Sequence, residues 1–203
     1  TPHIDKMCAE GMKFTDGLAA YPTCQPSRMA LLSGQYGPRT GGYRVSQGHK
    51  GLEEFVKYIV PEKSSLALGK ITIAECFQEA GYTTAMYGKW HVGNSGSGHA
   101  LHHGFDDAIV CTGHYKANAT PPIELPKGMS TAEYFTQKGS DFINQAHEND
   151  QPFFLYMPYY LVHRPLEARP DYIKHYERKL QGVELVDKNP EEMPIVAAMT
   201  RML

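Results

Sequence analysis

The chain has 203 residues, 41% of them hydrophobic and 21% charged, with a formal net charge of −2 when the histidines are neutral. That length supports one domain with a substantial core, and a near-neutral charge argues against nucleic acid as a partner. No apolar run reaches the length of a membrane span.

Thr1 to Glu10 reads as a short helix, with Ile4, Met7 and Cys8 on one face and Gly11 as the stop. Met12 to Ala20, apolar with β-branched residues, predicts a strand. It leads into Cys24-Gln25-Pro26-Ser27-Arg28. Pro26 can open a helix, because the N–H it lacks would be unpaired in the first turn anyway. Met29, Leu31 and Leu32 carry that helix, and Gly34 ends it in the left-handed conformation. Cys24 is thus expected at a strand-to-helix turn, where free N–H groups and the helix dipole favour an anion. Arg28 adds a permanent charge and a planar fork of donors one turn on. Taken alone, such a cysteine is more often a small buried apolar residue.

Gly34 to Lys70 reads as loop, with a helical spacing only in Leu52 to Val60, and Arg39 and Arg44 read as solvated surface. Thr72 to Glu75 is a capping-box pattern. It opens a helix that turns Ile73, Ala74, Phe77 and Ala80 inward and stops at Gly81. Tyr82 to Tyr87 has strong β-propensity. Gly88-Lys89-Trp90-His91 follows, and on an extended segment Lys89 and His91 would point the same way. Gly93 to Gly98 reads as flexible. The close histidines His99, His102 and His103 match no standard zinc spacing.

Gly104-Phe105-Asp106 precedes a strand through Ala108, Ile109 and Val110, and His114, just past it, lies within reach of a pocket there. Asn118 to Met129 reads as a proline-containing loop. Ser130 to Glu133 is a second capping box; its helix buries Ala132, Phe135, Phe142, Ile143 and Ala146, and tolerates Gly139 at roughly 1 kcal/mol against alanine. Pro152 to Pro158 is a continuous apolar run, expected as a buried strand, and His163 lies just beyond it. An amphipathic helix is expected over Tyr172 to Leu180, and another opens at Asn189-Pro190-Glu191-Glu192 and runs through Ile195, Met199 and Leu203. Both ends begin or close inside an element, so the sequence reads as an internal piece of a longer protein. The four cysteines, at 8, 24, 76 and 111, form no C-x-x-C pair.

Two of these stretches resemble the signatures of the sulfatase family. Cys24 to Arg28, continuing to Leu32-Ser33-Gly34, is similar to Cys-x-Pro-Ser-Arg followed by Leu-Thr/Ser-Gly. Gly81 to His91 is similar to Gly-Tyr-x-Thr-x-x-x-Gly-Lys-x-His, and His163-Arg164-Pro165 to a His-x-Pro element with arginine where threonine is frequent. The resemblance implies an α/β fold of the alkaline-phosphatase type, a mixed sheet sandwiched between helices, of which residues 1–203 form part of a single catalytic domain. It implies hydrolysis of an aryl or carbohydrate sulfate ester, with Cys24 oxidised to formylglycine by a maturation enzyme. The formylglycine hydrate would attack sulfur, and collapse of the resulting adduct would release sulfate.

By the same resemblance Arg28 holds the hydrate and Lys89 neutralises the sulfate. His91 takes a proton, and His163 serves the ester oxygen. A calcium ion is implied, with the residue-24 oxygen as its one ligand from this chain; an Asp-Asp pair and an Asp-Asn pair would lie outside residues 1–203. Many family members are exported, so a periplasmic, secreted or lysosomal site follows by analogy. Two alternatives stay open: a phosphate or phosphonate monoester hydrolase of the same superfamily, and a non-catalytic sulfatase-like binding protein. A cysteine phosphatase does not fit, because it separates its cysteine and arginine by five residues and only three lie between Cys24 and Arg28.

Overall fold

The computed structural model describes residues 2–45, 63–93, 96–183 and 189–203. Strands β1 (Thr83–Gly88), β2 (Asp107–Thr112), β3 (Asn118–Thr120) and β4 (Phe153–Tyr156) form one sheet in the order β3-β2-β1-β4. β1 pairs in parallel with β2 (Ala85 opposite Asp107) and with β4 (Thr83 opposite Phe153). β3 closes one side antiparallel to β2, with Val110 opposite Thr120. Parallel neighbours need long crossovers, and α5 (Thr131–Glu148) supplies the one that leads into β4.

Residues alternate across a strand, so each face of the sheet builds its own core. Met86, Ala108 and Val110 face Met29, Leu32, Ala74, Trp90 and Phe105, on the side of α2 (Cys24–Ser33) and α4 (Ile73–Glu79). Ala85, Tyr87, Ile109 and Cys111 face Phe135 and Phe142 of α5. Full burial of a side chain such as Phe135 contributes roughly 1.5–3 kcal/mol. Both expected capping boxes are present: Thr72 with Glu75 and Ser130 with Glu133 exchange side-chain and backbone hydrogen bonds. Each is worth about 1 kcal/mol at the helix start. The remaining helices are α1 (Pro2–Glu10), the single turn α3 (Gly37–Thr40), and the hairpin of α6 (Pro170–Lys179) with α7 (Met193–Arg201).

Several expectations need correction. Met12 to Ala20 is irregular, not a strand, and Leu18 is 95% exposed; β-propensity makes a strand only where a neighbour takes up the backbone hydrogen bonds. Asn118 to Thr120, expected as loop, pairs with β2. A helical turn forms at Gly37–Thr40 inside the expected loop, while Leu52 to Val60 lies outside the described residues. α2 begins at Cys24, so Pro26 is its third residue and not its first. Ile73, Ile143 and Ala80, expected to face inward, are exposed, the first two at 43% and 40%. β4 is half-exposed despite its unbroken apolar run, because β1 is its only strand neighbour among the described residues. Gly139 has a packing reason: a Cβ there would stand 3.0 Å from the Met157 side chain.

Candidate active site

Cys24 is the first residue of α2, follows the extended N-cap Thr23, and is half-buried with a free thiol. Buried Met29 and Leu32 pin the helix to the sheet, and Gly34 closes it with φ 64°. Arg28, one turn along, donates from Nη1 to the Lys89 carbonyl and to the Tyr156 hydroxyl at 3.3 Å. This fixes α2 against the end of β1.

Lys89 is the residue after β1 and is only 5% exposed. Its own N–H donates to the Pro158 carbonyl at 2.7 Å. Gly88 makes that approach possible, since a Cβ there would lie 2.4 Å from the same oxygen. The Lys89 ammonium stands 5.1 Å from the centre of the Tyr160 ring, with Cys24 and Arg28 as its electrostatic neighbours. Burial lowers the Lys89 pKa, the neighbouring Cys24 works against that, and the Arg28 charge adds to it.

The segment from Lys89 to His91 is not extended. His91 adopts a left-handed φ of 62°, which is uncommon for a residue with a side chain, and Trp90 turns into the core at 1% exposure. Lys89 and His91 therefore approach one another through a turn, not by alternation along a strand. Burial, followed by the charges of Lys89, Arg28 and His163, pushes the His91 imidazole down to about 4. It is neutral near pH 7 and able to accept a proton.

His163 lies past β4 on an exposed loop, with Nδ1 2.6 Å from the Arg164 carbonyl. Its ring packs on Tyr160 at 4.7 Å between centroids, and Tyr160 in turn lies under the Lys89 ammonium. Cys24, Arg28, Lys89, His91 and His163, drawn from three separate segments, thus converge. Two fixed cations beside a helix N-terminus suit an anion with several oxygens. Tyr156 and Tyr160 complete the surround. Nothing in the sequence marks them, since both sit in an aromatic run whose other members pack the core.

The histidine cluster is structural. His99 accepts from the Leu101 N–H and its Nε2 lies 3.2 Å from the Thr120 carbonyl, while His103 is buried against Trp90. Among the described residues no group of three or more His, Cys, Asp or Glu side chains could hold a metal ion. The charged side chains beside Cys24 among the described residues are those of Lys89 and Arg28. Among the described residues no helix is long and apolar enough to cross a membrane.

The sulfatase family model matches residues 1–184. The chain belongs to the sulfatase family. It is 31% identical to Arylsulfatase G of Rattus norvegicus over 91% of this chain and 40% of that protein. It is 32% identical to N-acetylgalactosamine-6-sulfatase of Mus musculus over 85% of this chain and 37% of that one. The sulfatase chain therefore spans about two fifths of the length of these curated relatives. Among solved structures, Ps i-CgsB superposes on all of the chain and 46% of its own with a TM-score of 0.73 at 21% identity. BT4656, solved in complex with its substrate D-Glucosamine-2-N, 6-O-disulfate, covers 93% of this chain and 34% of its own, with a TM-score of 0.68 at 22% identity. The mixed sheet between helices is thus the sulfatase fold, of the alkaline-phosphatase type.

Proposed function

We propose that the chain carries the sulfate-binding and nucleophilic half of a sulfuric ester hydrolase. The observation that carries this reading is the convergence of Cys24, Arg28, Lys89, His91 and His163 on one polar, cation-rich centre. The activity is that of a whole protein in which residues 1–203 form part of one catalytic domain, as the 37 to 40% share of the relatives supports.

Formylglycine made from Cys24 by a maturation enzyme supplies the nucleophile as its hydrate. Arg28 orients that group through a guanidinium already fixed on the Lys89 carbonyl and Tyr156. Lys89 offsets the negative charge on the sulfate oxygens in a site where burial keeps water from screening it. His91, neutral before the reaction, accepts the proton whose loss allows sulfate to depart. His163 hydrogen bonds the ester oxygen and delivers a proton as the alcohol leaves. Calcium remains part of the reading as an ion that the residue-24 oxygen would help to hold, its other ligands lying outside residues 1–203, and it would supply Lewis-acid polarisation there.

The substrate class is an aryl or carbohydrate sulfate. The carbohydrate reading is favoured by the sulfated sugar bound to BT4656 and by the N-acetylgalactosamine-6-sulfatase relatives. The test uses the intact natural protein from its native host. The peptide holding residue 24 should have the mass of the aldehyde, and an aryl sulfate should turn over far faster than the matching aryl phosphate. An unmodified thiol together with absent sulfate release removes the proposal. Preferred phosphate release moves the chemistry to the phosphate or phosphonate hydrolases of the same superfamily.

A further inference from the structure

Just beyond β2, His114 is 1% exposed and not yet given a role. Its Nε2 lies 2.8 Å from the backbone carbonyl of His163. A carbonyl only accepts, so Nε2 carries the hydrogen and a neutral ring leaves Nδ1 as a bare acceptor. Nδ1 is buried without a hydrogen-bond partner. The ring also packs on Tyr160 at 5.0 Å between centroids, and Tyr160 packs on His163 at 4.7 Å. The other face of the arrangement is Lys89, 5.1 Å from the Tyr160 ring centre.

His114 is itself held firmly. Thr131, the first residue of α5, donates its N–H to the His114 carbonyl at 2.6 Å and its hydroxyl to the Gly113 carbonyl at 2.8 Å. A chain of contacts therefore runs from the start of α5 through His114 to the exposed loop that carries His163. Elsewhere the loop is held by Tyr159, whose hydroxyl lies 2.7 Å from the Thr136 hydroxyl of α5, and by Tyr160 Oη on the Arg164 carbonyl.

We propose that His114 is a positioning residue: through Nε2–H it anchors the His163 backbone, and with Tyr160 it sets the position of the His163 ring. The inference rests on the reading that His163 serves the ester oxygen. It predicts that loss of the anchor harms the leaving-group step in particular, because a misplaced proton donor matters most when the alcohol departs poorly.

The experiment uses the intact natural protein and three variants: His114→Gln, whose amide N–H can still reach the carbonyl; His114→Asn, which is too short to do so; and His163→Ala. Turnover of 4-nitrophenyl sulfate and of phenyl sulfate gives the dependence on the leaving group. His114→Asn should lower kcat on phenyl sulfate by roughly 10- to 100-fold and on the nitrophenyl ester much less, with KM little changed. That is the pattern expected of His163→Ala, and His114→Gln should restore most of the loss. Equal losses on both esters, or equal behaviour of the Gln and Asn variants, overturn the proposal. A wild-type protein that turns over neither ester sinks the sulfatase reading instead. The imidazole NMR signals of His163 then decide on the anchor: they should shift in His114→Asn and not in His114→Gln, and unchanged signals in both variants overturn it.

Discussion

The Arg28 guanidinium ties the first turn of α2 to the Lys89 backbone, joining residues 61 apart in sequence. Cys24 at the start of α2 and the buried lysine are therefore set by one side chain, which also reaches the Tyr156 hydroxyl at 3.3 Å. Replacement by lysine keeps the charge but loses the fork that serves two acceptors at once. Hydrogen bonds from a charged donor contribute about 1.5–3 kcal/mol. Arg28→Lys should accordingly lower kcat/KM for an aryl sulfate by roughly 10- to 100-fold, as steady-state kinetics on the matured protein would show. Unchanged kinetics would mean that charge alone is needed there.

Gly88 ends β1 with φ 131° against the Pro158 carbonyl. Gly88→Ala meets two penalties, a backbone conformation hostile to side chains and a 2.4 Å approach to that oxygen. The chain has to part there, which loosens the Lys89 N–H bond to the same carbonyl. The variant should be less stable by at least roughly 2 kcal/mol and lose turnover as Lys89 shifts. Urea unfolding measures the first effect, and kinetics on the folded fraction the second. A variant of wild-type stability would show that β1 and the loop after β4 can separate at no cost.

The local sequence reveals the points where the backbone is satisfied by nearby residues. Both capping boxes, the left-handed stop at Gly34 and the β1 and β2 strands follow from short-range chemistry that needs no knowledge of the fold. Cys24, Arg28, Lys89, His91 and His163 are legible through their spacing and family resemblance, yet that spacing misplaces the reason Lys89 and His91 meet. The left-handed turn at His91 and the inward swing of Trp90 come from packing on Phe105 and His103, residues more than ten positions away. Tyr156, Tyr160 and the His114 anchor depend on β4 lying beside β1, which no local pattern conveys. Met12 to Ala20 fails for the complementary reason: its side chains suit a strand, but no described neighbour pairs with its backbone.

His103 gives a prediction for stability against pH. Its ring is fully buried beside Trp90, and neither ring nitrogen has a hydrogen-bond partner. Burial lowers its pKa, Glu75 opposes that shift and His102 adds to it. An unfolded histidine titrates near about 6.5. Between the lowered native value and that point the unfolded chain binds more protons, so stability is full above the range and falls as pH drops through it. His103→Phe, which fills the same space without titrating, should lose less stability than the wild type between about pH 7.5 and about pH 5. Burial of His91 acts in the same direction, so the comparison is the difference between the two proteins. Parallel loss in both would show that His103 is not protonated on unfolding.

Asp106 is a structural carboxylate, with hydrogen bonds to both of its oxygens. Its oxygens accept from the Thr84 N–H at 2.9 Å, the Thr84 hydroxyl at 3.0 Å and Gln78 Nε2 at 2.6 Å. Burial raises its pKa, but these hydrogen bonds, led by the Thr84 backbone, outweigh it and hold the carboxyl below its ordinary range. Asp107 is engaged elsewhere, by the Tyr87 hydroxyl at 2.6 Å and by Lys138 at 3.3 Å. The two carboxylates therefore serve opposite attachments, Asp106 to α4 and the start of β1, and Asp107 to the α5 side. Asp106→Ala leaves the fully buried Thr84 with fewer partners and should cost roughly 1–3 kcal/mol, with Asp106→Asn losing less because the amide oxygen still accepts. Urea unfolding with and without calcium checks both points. The loss should be the same in either condition; a loss that appears only with calcium present would make Asp106 a ligand after all.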